Sequence, residues 1–327
     1  MEISFIWTNE EERFYSLQNE WLALWTRTPK AAVYQLPVWQ LNWWNRFRAG
    51  RLFVLELRAG ERLVGLLPFH ADELNVLRPL GGRLYDIDGV LLEDESLAAA
   101  IPIALKTLEG ALPGLSVEFP YIPDTSPLLS MAEPEVWLDA RRNLNTCPTL
   151  ALPPGATALE QVVPDSMARN VRHTLSRAAR VGGLTVEAAT LATVDAQLTV
   201  LFDLHTARWG TKGRPGAFHD PRVRDFHRAV APELLKLGLL ELFVCRLGER
   251  VAAAFYGFAV RDTTYYYLSG FDPKENYASP GTLAVGHAIE NAIKRGATSF
   301  NFLRGEEPYK YKWGAVDRPL WRRRMTA

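Results

Sequence analysis

From Leu303 to Lys312 the chain reads Leu-Arg-Gly-Glu-Glu-Pro-Tyr-Lys-Tyr-Lys, a stretch dense in groups that can do chemistry. Arg304, Lys310 and Lys312 are fixed cations able to hold a phosphate or to stabilise a developing oxyanion. Glu306, Glu307 and Tyr309 are placed among them and can take or give a proton. A solvated turn of mixed charge has the same composition, so position must decide. Some twenty residues upstream, Ser279-Pro280-Gly281-Thr282 has the form of a helix start. Ser is a good N-cap, Pro suits the first helical position, and Gly lets a ligand approach the backbone. Backbone N–H groups and the helix dipole favour phosphate there, although many helices that bind nothing begin in this way.

These residues need elements to position them. The patterning predicts a strand over Thr263–Ser269, a loop, a helix from about Thr282 to Arg295, and a strand over Ser299–Leu303. Strand, crossover helix and strand form a parallel pair of right-handed connection. The carboxyl ends of both strands and the amino end of the helix then share one edge, where open sheets bind ligands.

Other polar groups sit on predicted helices. Arg169, Arg172, His173, Arg177 and Arg180 recur at helical spacing over Ser166–Val181 and build a basic face, which is either solvated or in contact with an anionic substrate. His205, Arg208 and Trp209 lie within one turn of a helix over Thr193–Trp209 and can share a pocket edge, or serve as core and surface. A third helix, Asp225–Leu237, contains Pro232 as a potential break. Strands are expected at Leu239–Leu247 and Val251–Val260.

The first half shows helical spacing over Glu11–Trp25 and Leu41–Phe47, a hairpin from Leu52 to His70, a strand in Arg83–Leu92 and a helix over Leu97–Leu108. Proline and polar residues gather between Pro120 and Pro154, which marks a boundary near residue 150. Arg-x-Gly-Glu-Arg occurs at both Arg58–Arg62 and Arg246–Arg250, each at a predicted hairpin turn. Chance turn chemistry or domain duplication explains the echo, and the shared hairpin context favours duplication.

Bulk properties restrict the remaining options. The 327 residues are 48% hydrophobic and 23% charged, which is globular and large enough for two cores. The formal net charge of zero gives no global attraction for nucleic acid or an anionic membrane. No apolar run approaches bilayer length and no signal sequence opens the chain, so a soluble cytoplasmic protein without membrane insertion is expected. Cys147 and Cys245 match no metal spacing, and no metal is expected.

The segment Phe300–Ala315 resembles the closing signature of a subgroup of the GNAT superfamily, the BioF2-like or CelD-like acetyltransferase domain, which is related to the FemAB peptidyltransferases. Ala168–Arg172, Leu204-His205-x-x-Arg208-Trp209 and Tyr277–Gly281 fit the same pattern, and the resemblance spans about Pro164 to Ala315. It implies an α+β (mixed α/β) fold of two tandem GNAT-like modules. Each would be a mostly antiparallel twisted sheet flanked by helices, with a splayed parallel strand pair. The first module, 1–150, would be degenerate or acceptor-binding, and the second, 151–327, would be the acyltransferase. The resemblance implies a bacterial-type acyltransferase moving an acetyl or other acyl group from acyl-CoA to an amine or hydroxyl. The acceptor would be a small metabolite or a cell-envelope or polysaccharide precursor. Lys310 and Arg304 would then stabilise charge, Glu306, Glu307 or Tyr309 would move the proton, and Ser279, Pro280, Gly281, Thr282 and Lys312 would hold the donor. His205, Arg208, Trp209, Arg169 and Arg172 would contact substrate. The loop Asn276–Thr282 lacks the usual glycine pattern of the superfamily, which keeps two alternatives open: an aminoacyl-tRNA-dependent transferase of FemAB type, and a non-catalytic GNAT-fold binding or assembly protein.

Overall fold

The computed structural model describes residues 2–87, 90–211 and 213–327. The chain divides into two compact units, Met1–Thr146 together with Arg318–Ala327, and Cys147–Asp317. Each unit is built on its own mixed sheet.

The first unit contains strands β1 (Ile3–Thr8), β2 (Arg51–Ala59), β3 (Arg62–Ala71), β4 (Val76–Pro79), β5 (Leu91–Leu92), β6 (Ser116–Pro123) and β7 (Leu138–Thr146), joined by the chain's last strand, β14 (Pro319–Thr326). Their order is β1-β2-β3-β4-β6-β14-β7, with β5 on β3. Helices α1 (Glu11–Ser16), α2 (Gln18–Arg27), α3 (Pro37–Phe47), α4 (Ala100–Leu108) and α5 (Pro127–Ser130) accompany the sheet. The single helix expected over Glu11–Trp25 is two, broken at Leu17. The strand expected in Arg83–Leu92 shrinks to Leu91–Leu92, and residues 88–89 of that span lie outside the described residues. Alternate residues of β2 and β3, with α4, form the core around Leu55, Leu57, Phe69, Ile101 and Phe119.

The second unit comprises β8 (Thr149–Ala151), α6 (Asp165–Ala179), β9 (Leu184–Ala188), α7 (Val194–Gly210), α8 (Pro221–Lys236), β10 (Leu240–Leu247), β11 (Arg250–Val260), β12 (Thr263–Phe271), α9 (Pro280–Lys294), β13 (Ser299–Asn301) and α10 (Pro308–Lys312). Its sheet runs β8-β13-β12-β11-β10-β9. Small residues on α9, among them Ala284, Ala288 and Ala292, pack closely against Phe243, Phe255 and Phe300 in the core. Pro232 lies inside α8 without ending it; the buried face of Val223, Phe226, Val230 and Leu234 offsets the missing hydrogen bond.

The two sheets share a core of five strands in the same order. In each, an antiparallel run (β1-β2-β3-β4 and β9-β10-β11-β12) leads to one parallel pair, β4 with β6 and β12 with β13, and each pair is spanned by a helix, α4 or α9. The two Arg-x-Gly-Glu-Arg segments sit at equivalent hairpins. Gly60 and Gly248 both take left-handed backbone, φ 60° and 58°. The register shifts before the arginine in both, at Leu57/Arg58 and Cys245/Arg246. A turn, its bulge and its topology recurring together argue for duplication over chance. The fold is α+β, with a parallel pair in each sheet, as the resemblance implies.

Candidate active site

The parallel pair of the second unit is short. β12 and β13 are in register only from Thr263 with Ser299 to Tyr265 with Asn301. β12 continues to Phe271, whereas β13 stops, so the two strands part at their carboxyl ends. A cavity of about 330 Å³ opens there. Tyr266, Ser269 and Phe271 of β12 form one wall, and Ser279, Pro280, Gly281 and Thr282 at the start of α9 form another. Tyr309, Lys312 and Trp313 close it from the α10 side, with Met167 and Asn170 of α6 and Arg208 of α7 completing the lining.

The expected strand end at Leu303 is replaced by a tight turn. Leu303 is buried yet left-handed, φ 56°, and its N–H donates to Asn301 Oδ1 at 2.7 Å. Gly305, φ 119°, takes a backbone conformation that side chains rarely adopt, and a Cβ there would also displace the Glu307 carboxylate, 2.6 Å away. Lys310 closes the turn from beneath. Only 3% exposed, its ammonium donates to the carbonyls of Leu303, Arg304 and Gly305 at 3.0, 3.1 and 3.1 Å and pairs with Glu307 at 2.9 Å. Those four acceptors take up the three N–H donors of the ammonium. Arg304, Glu306, Glu307 and Lys310 thus shape the turn beside the cavity and do not line it, whereas Tyr309 and Lys312 do.

Ser279 occupies the N-cap position of α9, but its side chain makes no capping bond and its backbone is left-handed, φ 41°. Its hydroxyl is therefore not engaged as a cap at the cavity wall. Gly281 allows the helix start to approach Phe271, whose ring lies 3.3 Å from where a Cβ would sit.

Hydroxyls meet on the opposite wall. Tyr309 packs edge-on to Tyr266 and Phe302. Burial, reinforced by Tyr266 and Glu307, pushes its phenol well above the usual range, so it stays protonated and able to donate. The Tyr266 hydroxyl in turn hydrogen-bonds the Ser269 hydroxyl. Arg208 lays its guanidinium over the Phe271 ring, 4.6 Å from the centroid, and is the cation on this side of the cavity.

His205 lies behind that wall, 4% exposed. Its Nδ1 is 3.1 Å from the Ser269 carbonyl and its Nε2 accepts the Ala217 N–H at 3.2 Å. Donation from Nδ1 and acceptance at Nε2 require the neutral ring, and burial lowers its pKa to about 4. It ties the segment after α7 to β12, while Trp209 packs against it with ring centroids 5.9 Å apart. Neither lines the cavity. Arg169 and Arg172 are exposed on α6, outside the lining that Met167 and Asn170 of the same helix supply.

Sequence reasoning did not single out Tyr266, Ser269 or Asn170. Tyr266 lies within three consecutive tyrosines whose alternation reads simply as strand. The register shift at Tyr256/Gly257, opposite Tyr266, has no sequence signal beyond the glycine.

Residues 165–311 match the acetyltransferase (GNAT) domain family. No curated protein matches the sequence. Among solved structures, FemX is 11% identical, with 99% of this chain and 97% of that chain covered at a TM-score of 0.65. The C-terminal domain of a putative lysylphosphatidylglycerol synthetase from Agrobacterium fabrum is 15% identical, covering 95% and 91% at 0.60. L-PGS from Bacillus licheniformis is 12% identical, covering 96% and 91% at 0.59. At such identities these likenesses establish the fold.

Proposed function

Residues 165–311 form a GNAT-superfamily domain within a FemX-like two-unit fold, and from that premise we propose that the chain is an acyl-CoA-dependent transferase acting on an amine or hydroxyl. The acceptor class is a small metabolite or an envelope or polysaccharide precursor. One observation carries the reading: a single cavity brings together a helix start, two cations and a protonated phenol backed by two further hydroxyls.

In the proposed reaction, the acyl-pantetheine end of the donor enters the cavity between Ser279–Thr282 and Tyr309. The acceptor's nucleophilic atom bonds to the thioester carbonyl carbon, and Arg208 and Lys312 stabilise the resulting oxyanion. The C–S bond then breaks, and Tyr309 protonates the departing thiolate, while the acceptor's proton leaves to solvent. Tyr309 recovers its proton through Tyr266 and Ser269. Lys310 and Arg304 act by holding the turn that presents Tyr309, and His205 by fixing β12 behind Ser269. In this reading the first unit contributes acceptor binding or is degenerate, and the reaction is cytoplasmic. No helix among the described residues is long and apolar enough to cross a membrane.

The likeness to FemX over the whole chain favours a second reading, an aminoacyl-tRNA donor, as the FemAB resemblance implies. Thermal shift of the intact chain with acetyl-CoA, CoA and deacylated tRNA separates the two. Stabilisation by CoA and not by tRNA supports the first. The reverse pattern replaces it, and silence to both points to a GNAT-fold binding protein.

A further inference from the structure

The cavity carries more positive charge than acyl transfer alone uses. No aspartate or glutamate lines it, whereas Arg208 and Lys312 do. Among the described residues neither cation has an ion pair or a hydrogen-bond acceptor. Other arginines of the unit are matched: Arg222 has Asp220 and Arg228 has Asp195, at 2.7 and 2.8 Å.

Arg208 is held in place without such a partner. Gly270 lets α7 lie close on β12, since a Cβ there would be 2.6 Å from the His205 nitrogen of the main chain. His205, three residues before Arg208, is bonded to Ser269 and Ala217. The half-buried guanidinium is thereby set over the Phe271 ring, 4.6 Å from its centroid. Stacking covers the flat face of the group and leaves its edges, where the N–H donors lie. A fork fixed in this way fits the two coplanar oxygens of a carboxylate.

The reacting end of the donor does not use this charge, because a pantetheine arm and its thioester are neutral. During transfer one negative charge develops, the oxyanion, and two lining cations leave one charge unmatched. The start of α9 adds little for a multiply charged group. Pro280 has no N–H, and the N–H groups of Thr282 and Leu283 turn back to the Ser279 carbonyl at 2.9 and 3.4 Å.

We propose that the acceptor carries a carboxylate beside its nucleophilic amine or hydroxyl, and that Arg208 binds it edge-on against Phe271. Lys312 and the remaining guanidinium N–H groups are left for the oxyanion, so two cations meet two negative charges. An acceptor without the carboxylate leaves a half-buried cation unpaired. The substrate class narrows to amino acids, hydroxy acids and carboxylated amino sugars. This rests on the acyl-CoA reading, which supplies the neutral donor arm.

Calorimetric titration of the intact chain with acid–amide pairs tests it without requiring turnover. The panel holds amino acids and an aminouronic acid, each beside its carboxamide, with O-phosphoethanolamine set against β-alanine. In the wild type at least one acid should bind about tenfold or more tighter than its amide. Arg208→Gln should bring that pair within about twofold, and Arg208→Lys, charged but without the fork, should keep an intermediate preference. CoA affinity should be unchanged in both variants, which also shows that they fold. A wild type that distinguishes no acid from its amide, or a preference that survives Arg208→Gln, overturns the proposal while leaving CoA as donor. Tighter binding of O-phosphoethanolamine than of β-alanine overturns it in favour of phosphate. Weakened CoA binding by an Arg208→Gln chain of wild-type melting temperature, with the acid preference intact, overturns it by assigning the guanidinium to the donor. Absence of CoA binding to the wild type removes the acyl-CoA reading instead, and an acid preference lost in Arg208→Gln would still assign Arg208 to a carboxylate.

Discussion

The Lys310 ammonium donates to the Leu303 carbonyl at 3.0 Å, and Leu303 is the residue at which the chain leaves β13 in left-handed backbone. A buried cation thus fastens the turn that carries Tyr309 into the cavity wall. Lys310→Met removes the donor and leaves buried carbonyls unpaired. It should cost about 3 kcal/mol of stability, read by urea denaturation, together with most of the activity. A variant of wild-type stability that retains turnover would remove Lys310 from this positioning role.

Tyr309→Phe keeps the ring packing and deletes the hydroxyl that carries the proton. The expected outcome is a fall in kcat on the order of 10²-fold with CoA affinity unchanged, measured by steady-state kinetics with an identified acceptor. Equal turnover would exclude the phenol as the acid.

His205 imposes a pH dependence on stability. Its folded pKa of about 4 lies below the unfolded value near 6.5, so the unfolded chain binds the extra proton first. The stability associated with the neutral ring is complete above pH 6.5 and declines as pH falls toward 4. Its full extent is about 3 kcal/mol. His227, lowered to about 3 by complete burial, adds a decline of the same sign. Denaturation curves between pH 7 and 4 should show a shallower slope for His205→Asn, whose amide can still donate to Ser269.

Glu241 acts in the opposite direction. Burial raises its carboxyl to about 7, so the neutral acid is stabilised and stability declines as pH rises from about 4.5 through 7. Glu241→Gln should therefore gain up to about 3 kcal/mol at pH 8 and little at pH 4. An equal effect at both values would show that the charge is not responsible.

Ser279→Gly should separate stability from function. Glycine removes the cost of left-handed backbone, a gain of about 1 kcal/mol, and takes the hydroxyl from the cavity. A higher melting temperature with weaker CoA binding is expected, and unchanged binding would exclude Ser279 from the donor site.

Much of this site was legible in the sequence because it is local. Ser279–Thr282 and Tyr309–Lys312 converge through one strand–helix–strand unit whose periodicity is clear, and the basic face of α6 follows from spacing alone. The direction in which a lysine points does not. Lys310 and Lys312 look equivalent in the chain, yet one faces inward to the turn and the other lines the cavity. His205 reads as a pocket-edge residue until its two ring nitrogens are seen bonded to Ser269 and Ala217, 64 and 12 residues away. Long-range pairing hid the first sheet's composition as well, since nothing near Pro319–Thr326 reveals that its partners are β6 and β7.

That last pairing bears on how the chain is made. β14 lies between β6 and β7, strands that leave the ribosome well before the second unit does. During synthesis the second unit can close as soon as Asp317 emerges, because all its strands precede that point. The first unit meanwhile has an unfilled slot between two strand edges, Arg323 not yet present to meet Asp139 and the Leu128 carbonyl. The part translated first is therefore the last to be finished, and its open edges during that interval are where a chaperone would be needed.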